Sequence, residues 1–110
     1  MTSPDSNEQP VSALPADAVL LDVREPYEWA AGHIDSAVHI PIGQVTRRLG
    51  QIPQGDPLYV ICRSGSRSAR VAEFLRGQGT RAVNVSGGMQ DWAAAGKPMV
   101  SDTARPPEVV

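Results

Sequence analysis

The sequence lacks the features that would place a protein in a membrane or in an oxidising compartment. Its 110 residues include one cysteine, so no internal disulfide can form, which fits a reducing compartment. No apolar run approaches the roughly 18 residues that a membrane helix needs. The first ten residues have no basic region followed by an apolar stretch, as a signal peptide would. We therefore expect a soluble, cytoplasmic protein with no membrane partner.

Lysine is nearly absent as well, because nine of the ten basic residues are arginines. A net charge of -2 gives no reason to expect nucleic acid as a partner. The arginines are nevertheless concentrated locally, since Arg63, Arg67 and Arg70 all follow Cys62 within the window 62–70. A planar, permanently charged guanidinium is well suited to recognising oxyanions.

The length of the chain allows one domain with one modest core. Residues 1–10 are polar and Pro-containing and predict a disordered N-terminal tail. Residues 101–110 contain a Pro-Pro pair and predict a flexible C-terminal tail, which leaves the folded domain at 11–100. The sequence shows no heptad pattern and no additional apolar helix, so a monomer is expected.

Short apolar runs alternate with stretches of helical character along the domain. Strands are predicted at 18–23, 37–41, 57–62 and 81–88. Helices are predicted at 26–32, 42–52, 66–79 and 89–96. Alternation of this kind predicts an α/β fold in which a mainly parallel sheet carries helices on both faces.

The lone cysteine lies where ligands bind in such sheets, at the carboxyl end of a strand that leads into a helix. The N-terminus of that helix presents backbone N–H groups without internal partners, together with a partial positive charge. Gly65 allows the backbone to curl around the sulfur, and Arg63 and Arg67 add full positive charges. These effects favour the thiolate, so we expect the pKa of Cys62 to be lowered. The same loop would also hold an anionic substrate.

Two other interpretations of Cys62 are a buried structural cysteine and the nucleophile of a cysteine phosphatase. A free cysteine is often a buried structural residue, but an ordinary core strand has no reason to run into arginines, small residues and a helix start together. Cysteine phosphatases place an arginine six residues after the cysteine, whereas here that position is Ser68 and the arginine comes one residue earlier, at Arg67. The loop is therefore one residue too short for that signature.

Three separate motifs stand out along the chain. They are "LLDVREPYEWAAGHIDSAVHIP" at 20–41, "VICRSGSRSARVAEFLRGQG" at 60–79 and "VSGGMQDWAAAGKP" at 85–98. In order and spacing they resemble the rhodanese-like sulfurtransferases. The first is similar to the N-terminal signature of that family, the second to its active-site loop and the helix after it, and the third to its C-terminal signature. The resemblance implies a three-layer fold with a sheet of about five strands.

The resemblance also implies a chemistry and a set of residues for it. Cys62 would attack the sulfane sulfur of thiosulfate or a similar small donor and carry it as a persulfide. The substrate-binding loop would consist of Arg63, Ser64, Gly65, Ser66, Arg67 and Ser68. Its backbone N–H groups would stabilise the anion, and Arg63 and Arg67 would contact the sulfonate of the donor. Some family members have a lysine two residues after the cysteine, where this chain has Ser64.

Further expectations concern the residues around this loop. We expect Asp22 to form an ion pair that orients Arg67 or Arg24 beneath the loop, so that Asp22 and Arg24 support the site. His33 is expected to be structural, because a thiolate of low pKa needs no base. The histidines and the cysteine match no metal-site spacing, so neither a metal nor a cofactor is predicted.

With no second thiol in the chain, the persulfide must pass to an external thiol or to cyanide. Two alternatives to the enzyme remain open at this point: a persulfide carrier or sensor with little thiosulfate turnover, and a non-catalytic interaction module. The sulfur must also be reachable, since a thiol turned inward and sealed from solvent would argue against sulfur transfer.

Overall fold

The protein is built on one sheet of five parallel strands. The computed structural model describes residues 7–110. Its strands are β1 (Glu8–Pro10), β2 (Val19–Asp22), β3 (Val38–His39), β4 (Leu58–Ile61) and β5 (Ala82–Ser86). They are ordered β1-β5-β4-β2-β3, and every pairing is parallel. The predicted α/β fold with a mainly parallel sheet of about five strands is confirmed.

Three α-helices connect or follow these strands: α1 (Pro26–Ala31), α2 (Ser66–Gly77) and α3 (Gly88–Ala94). Pro26 opens α1, where its missing N–H is not needed. The Glu28 side chain caps the same end of the helix by accepting the backbone N–H of Glu25 at 2.9 Å. Within residues 7–110, no helix combines the length and the apolar character required to cross a bilayer.

Alternate residues of the central strands pack on opposite faces of the sheet. On β4 and just beyond it, Leu58, Val60 and Cys62 belong to the cluster that includes α2. Tyr59 and Ile61 belong to the second cluster, which includes α3. Such alternation follows from the two-residue period of a strand, and it places the Cys62 side chain on the α2 side of the sheet.

The first strand lies within the stretch predicted to be a disordered tail. Glu8–Pro10 pair in parallel with β5, and the backbone N–H of Asn84 donates to the backbone carbonyl of Asn7 at 2.8 Å. The prediction of a tail over 1–10 is therefore wrong for residues 8–10, whereas residues 1–6 lie outside the described part of the chain. An edge strand gains its stability from backbone hydrogen bonds, so a polar sequence without an apolar pattern can still form one.

The segment 101–110 also departs from the prediction of a flexible tail, because it is docked on the domain. The amides of Asp102 and Glu108 each donate to a carbonyl at the end of α1, on Ala30 and Ala31 respectively, at 2.9 Å. Val109 packs against the cluster on the α3 side of the sheet. Backbone hydrogen bonds and one apolar anchor thus hold a segment whose composition resembles that of a linker.

The helix predicted at 42–52 forms as two short 3₁₀ segments, Ile42–Arg47 and Leu49–Gln51. Val45 is buried, whereas Leu49 is 41% exposed, so the periodic apolar positions do not share one buried face. Gly43 and Gly50 weaken an α-helix in this stretch, and short 3₁₀ turns are common as connectors.

Candidate active site

The loop after β4 places Cys62 at the N-terminus of α2. Gly65, the residue before the helix, has φ 113°, a left-handed conformation that favours glycine. The two loop carbonyls of Cys62 and Arg63 accept the amides of Met89 and Gln90 at 2.8 and 2.9 Å. The first turn of α3 therefore fixes the backbone of the loop at Cys62 and Arg63. The loop amides from Gly65 onward are left to face the sulfur.

The sulfur of Cys62 accepts two hydrogen bonds from this loop. The backbone N–H of Gly65 and the hydroxyl of Ser68 both donate to Sγ at 3.1 Å. Burial raises the pKa of the Cys62 thiol, but the Ser68 side chain and the amides of Ser68, Gly65 and Ser64 outweigh it. The net pKa is lowered from the ordinary value of 9.0, because these donors stabilise the thiolate.

The Cys62 side chain has no exposed surface, with 0% of its area accessible. The sulfur nevertheless faces the helix N-terminus, since both of its donors lie in the loop and the first turn of α2. This burial departs from the open thiol that sulfur transfer requires. A reagent can reach Sγ only if the loop or the side chain shifts.

Arg67 is held by a carboxylate rather than left free. Its two terminal nitrogens donate to the two carboxylate oxygens of Glu28 at 2.7 and 2.9 Å. The hydrogen bond to Arg67 lowers the pKa of Glu28, and the Glu28 carboxylate in turn raises the pKa of Arg67. The pair ties α1 to α2. It also offsets the positive charge of Arg67, which was predicted to contact an anionic donor.

Arg63 makes a different contact. Its Nε donates to the main-chain oxygen of Val110 at 3.0 Å, across 47 residues of sequence. Of the two loop arginines, Arg63 is the one that pairs with no Asp or Glu side chain among the described residues.

Asp22 pairs with Arg24 and not with Arg67. Both side chains are 0% exposed, and Arg24 Nη2 lies 2.8 Å from the Asp22 carboxylate. Arg24 also donates to the carbonyls of Glu28 and Gly32 at 3.3 and 2.8 Å. Arg24 thus holds the C-terminal turn of α1, the helix that supplies the Arg67 partner.

Two residues of this site were not identified from the sequence. Besides Glu28, Asn84 on β5 donates from Nδ2 to the Gly65 carbonyl at 3.1 Å and to Glu8 Oε1 at 2.8 Å. Asn84 is 3% exposed, and its Oδ1 is buried without a partner. An asparagine inside the otherwise apolar strand "AVNVS" was the available signal, because a buried side-chain amide nearly always has a hydrogen-bond partner.

The remaining predicted residues take lesser positions. Ser64 and Ser66 are exposed on the loop, and Ser66 begins α2. His33 stacks on Trp29 with ring centroids 3.6 Å apart, and its Nδ1 lies 2.7 Å from the Trp29 carbonyl. No three His, Cys, Asp or Glu side chains within 7–110 are grouped in a way that could hold a metal ion.

Comparison with known proteins agrees with the fold. The family model described as "Rhodanese-like domain" matches residues 3–95. A sulfurtransferase of Allochromatium vinosum is 37% identical over 86 residues, which cover 77% of this chain and 80% of that protein. The crystal structure of a rhodanese-related protein from Thermoplasma volcanium superposes with a TM-score of 0.71 at 38% identity, covering 76% of this chain and 83% of that one.

A further relative has a different description. "Putative sulfur carrier protein YrkF" of Bacillus subtilis is 43% identical over 74 residues, which cover 66% of this chain. The chain spans only 40% of the length of that protein. The three sequence motifs, the parallel sheet and the family match lead to one conclusion: this chain belongs to the rhodanese-like domain family.

Proposed function

We propose that the protein is a sulfurtransferase that carries sulfur as a persulfide on Cys62. The observation that supports this most directly is the pair of hydrogen bonds to Sγ from the Gly65 amide and the Ser68 hydroxyl. Donors placed in this way stabilise a thiolate before the reaction and a persulfide anion after it. They account for a nucleophile that needs no general base.

The reaction proceeds in two displacements. In the first, the Cys62 thiolate attacks the outer sulfur of thiosulfate, the S–S bond of thiosulfate breaks, and sulfite leaves with the bonding electron pair. In the second, cyanide or an external thiolate attacks the outer sulfur of the persulfide, and Cys62 leaves as the thiolate. Thiocyanate or a new persulfide is released, and no cofactor is consumed. An external acceptor is necessary because the chain has one cysteine.

The charged residues take unequal parts in this proposal. The contact with an anionic donor is assigned to Arg63, because it pairs with no Asp or Glu side chain among the described residues. Arg67 acts chiefly through Glu28 to hold α2 in place. The Asp22–Arg24 pair supports α1 from below the loop. We expect the protein to work as a cytoplasmic monomer.

Mass spectrometry of the intact protein after exposure to thiosulfate tests the first displacement. We expect a gain of about 32 Da, one sulfur atom, on Cys62 and its loss after cyanide is added. Cys62→Ser should show neither the gain nor thiocyanate formation. Ser36→Ala, at an exposed serine outside the loop, should behave as the unaltered protein. A folded protein that never gains sulfur from any sulfane donor would overturn the proposal.

A persulfide carrier is the second candidate, and one observation favours it. The Arg67 charge is offset by Glu28, so the loop is less suited to a small dianion than its sequence indicates. A carrier would gain sulfur from a persulfide donor yet form little thiocyanate from thiosulfate. Steady turnover of thiosulfate and cyanide would instead favour the enzyme.

A further inference from the structure

Asn84 takes the place of a core residue on the face of β5 that is turned toward α2. Its neighbours on this face are Ala82 on the same strand and Val60, its register partner on β4, and both are fully buried. Asn84 itself is 3% exposed, and burying an amide costs free energy that an apolar side chain would not. What distinguishes Asn84 is therefore what its side-chain amide binds.

Two acceptors fix the direction of that amide. Nδ2 donates to the Gly65 carbonyl at 3.1 Å and to Oε1 of Glu8, the register partner of Asn84 on β1, at 2.8 Å. A carbonyl and an ionised carboxylate can only accept, so the nitrogen must face them. Oδ1 is left buried without a partner among the described residues. The fold thus accepts one unsatisfied oxygen while Nδ2 is aimed at the loop.

Gly65 has a peptide group on each side, and both belong to the site. Its N–H donates to Cys62 Sγ at 3.1 Å. Its carbonyl accepts Asn84 Nδ2 and also the Ala69 N–H, at 3.2 Å. A glycine at φ 113° has no side chain that could restrain the turn. Restraint must come from outside the loop, and Asn84 provides it from the sheet.

Three carbonyls of the loop, those of Cys62, Arg63 and Gly65, accept hydrogen bonds from the segment 84–90. Two of the donors are backbone amides of α3, and the third is the Asn84 side chain. In a planar trans peptide the N–H points opposite to the C=O. Carbonyls drawn toward this segment therefore turn the amides that follow them away from it. Of the three anchors, only Asn84 can be removed by substitution.

We propose that Asn84 is a positioning residue that holds the turn at Gly65 so that the loop amides converge on the sulfur. It acts through the Gly65 backbone, while Glu8 keeps its nitrogen aimed at the loop. Donors that are fixed in advance need no reorganisation when negative charge develops on sulfur. This inference rests on the proposed function, because it gives Asn84 a part in stabilising the thiolate and the persulfide.

Asn84→Leu tests the role, because it keeps a similar side-chain size and removes Nδ2. The midpoint of Cys62 alkylation against pH reports ionisation, whereas easier access to the sulfur would change only the rate at the high-pH plateau. We expect the midpoint to rise, so that the thiolate fraction at pH 7 falls about threefold or more, since misdirected amides stabilise the anion less. Hydrogen exchange at the Gly65 amide should become faster in the same variant.

Val83→Ala is the matched control for lost stability. Val83 lies next to Asn84 on β5, is 3% exposed and packs in the cluster on the opposite face of the sheet. Urea unfolding should show both variants to be less stable, yet Val83→Ala should leave the midpoint and the Gly65 exchange rate unchanged. Glu8→Gln removes a charge but keeps an oxygen that can accept from Nδ2, so it should leave the midpoint unchanged too.

Asn84→Ala provides a second variant should Asn84→Leu fail to fold. A folded Asn84 variant with the midpoint of the unaltered protein would overturn the inference. An equal rise in Val83→Ala would do the same, since loss of stability would then explain the change.

Mass spectrometry of the unaltered protein after exposure to thiosulfate separates this inference from the proposed function. If the protein gains no sulfur but the midpoint rises in Asn84→Leu, the proposed function fails and the positioning role stands. If it gains sulfur and the midpoint in Asn84→Leu does not move, the function stands and the positioning role fails.

Discussion

At the scale of single residues, the site depends on Ser68. Its hydroxyl is buried and donates to Cys62 Sγ at 3.1 Å, and its amide also contributes to the lowered pKa of Cys62. The Gly65 amide supplies a second bond to the sulfur, also at 3.1 Å. A side-chain donor can be removed by substitution whereas the amides cannot, so Ser68 is where the stabilisation of the thiolate can be measured.

Ser68→Ala should raise the pKa of Cys62 and slow its alkylation by iodoacetamide at pH 7 by about tenfold, since a hydrogen bond to a charged group is worth about 1.5 kcal/mol or more. Stopped-flow or quench measurements under native conditions provide the rates. Ser36→Ala, at an exposed serine outside the loop, is the control. Equal rates for both variants would show that the hydroxyl does not stabilise the anion.

At the scale of elements, the ion pair between Glu28 and Arg67 joins α1 to α2. Glu28 is 2% exposed, and it serves two partners at once, the amide of Glu25 and the guanidinium of Arg67. One carboxylate therefore caps a helix and fixes its neighbour. Because Arg67 lies in the first turn of α2, loss of this pair should loosen the amides that face the sulfur.

The pair should make stability depend on pH in acid. The pKa of folded Glu28 is lowered from 4.5, so its contribution is fully present above about pH 4.5 and is lost as the pH falls toward the folded pKa. Glu28→Gln should lower the free energy of unfolding at pH 7 by about 1–3 kcal/mol and reduce the further loss at acid pH.

Urea unfolding at pH 7 and at pH 3.5 measures both effects. Glu73→Gln, at an exposed position of α2 that forms no ion pair with any described residue, is the control. If Glu28→Gln lost as much stability between the two pH values as the unaltered protein, Glu28 would not be the source of the dependence.

At the scale of the whole molecule, the sequence was sufficient for the central sheet and for the position of the thiol. Local composition determines apolar strands such as β4, and it also determines the loop of small residues and arginines that follows β4. A sequence displays local composition directly. The predictions for residues 8–10 and 101–110 were wrong, because β1 and the segment 101–110 are held by backbone hydrogen bonds to distant elements. Such bonds leave no pattern in the side chains.

The charged residues around the loop could be predicted from the sequence, but most of their partners could not. The cluster of arginines was visible, but their partners were not, since Glu28 is 39 residues from Arg67 and Val110 is 47 from Arg63. Asp22 was predicted to orient Arg67 or Arg24, and the structure selects Arg24, only two residues away. Polar pairing over a long separation depends on the tertiary fold, so the composition of the loop alone overstated its free positive charge.

The measurement closest to the central claim is the pH dependence of Cys62 alkylation in the native protein. The same chain unfolded in urea is the reference, and Cys62→Ser gives the background. We expect the native midpoint to lie below both the unfolded midpoint and 9.0, because the donors around Sγ stabilise the thiolate. A native midpoint at or above that of the unfolded chain, or a native thiol that does not react at neutral pH, would contradict the account.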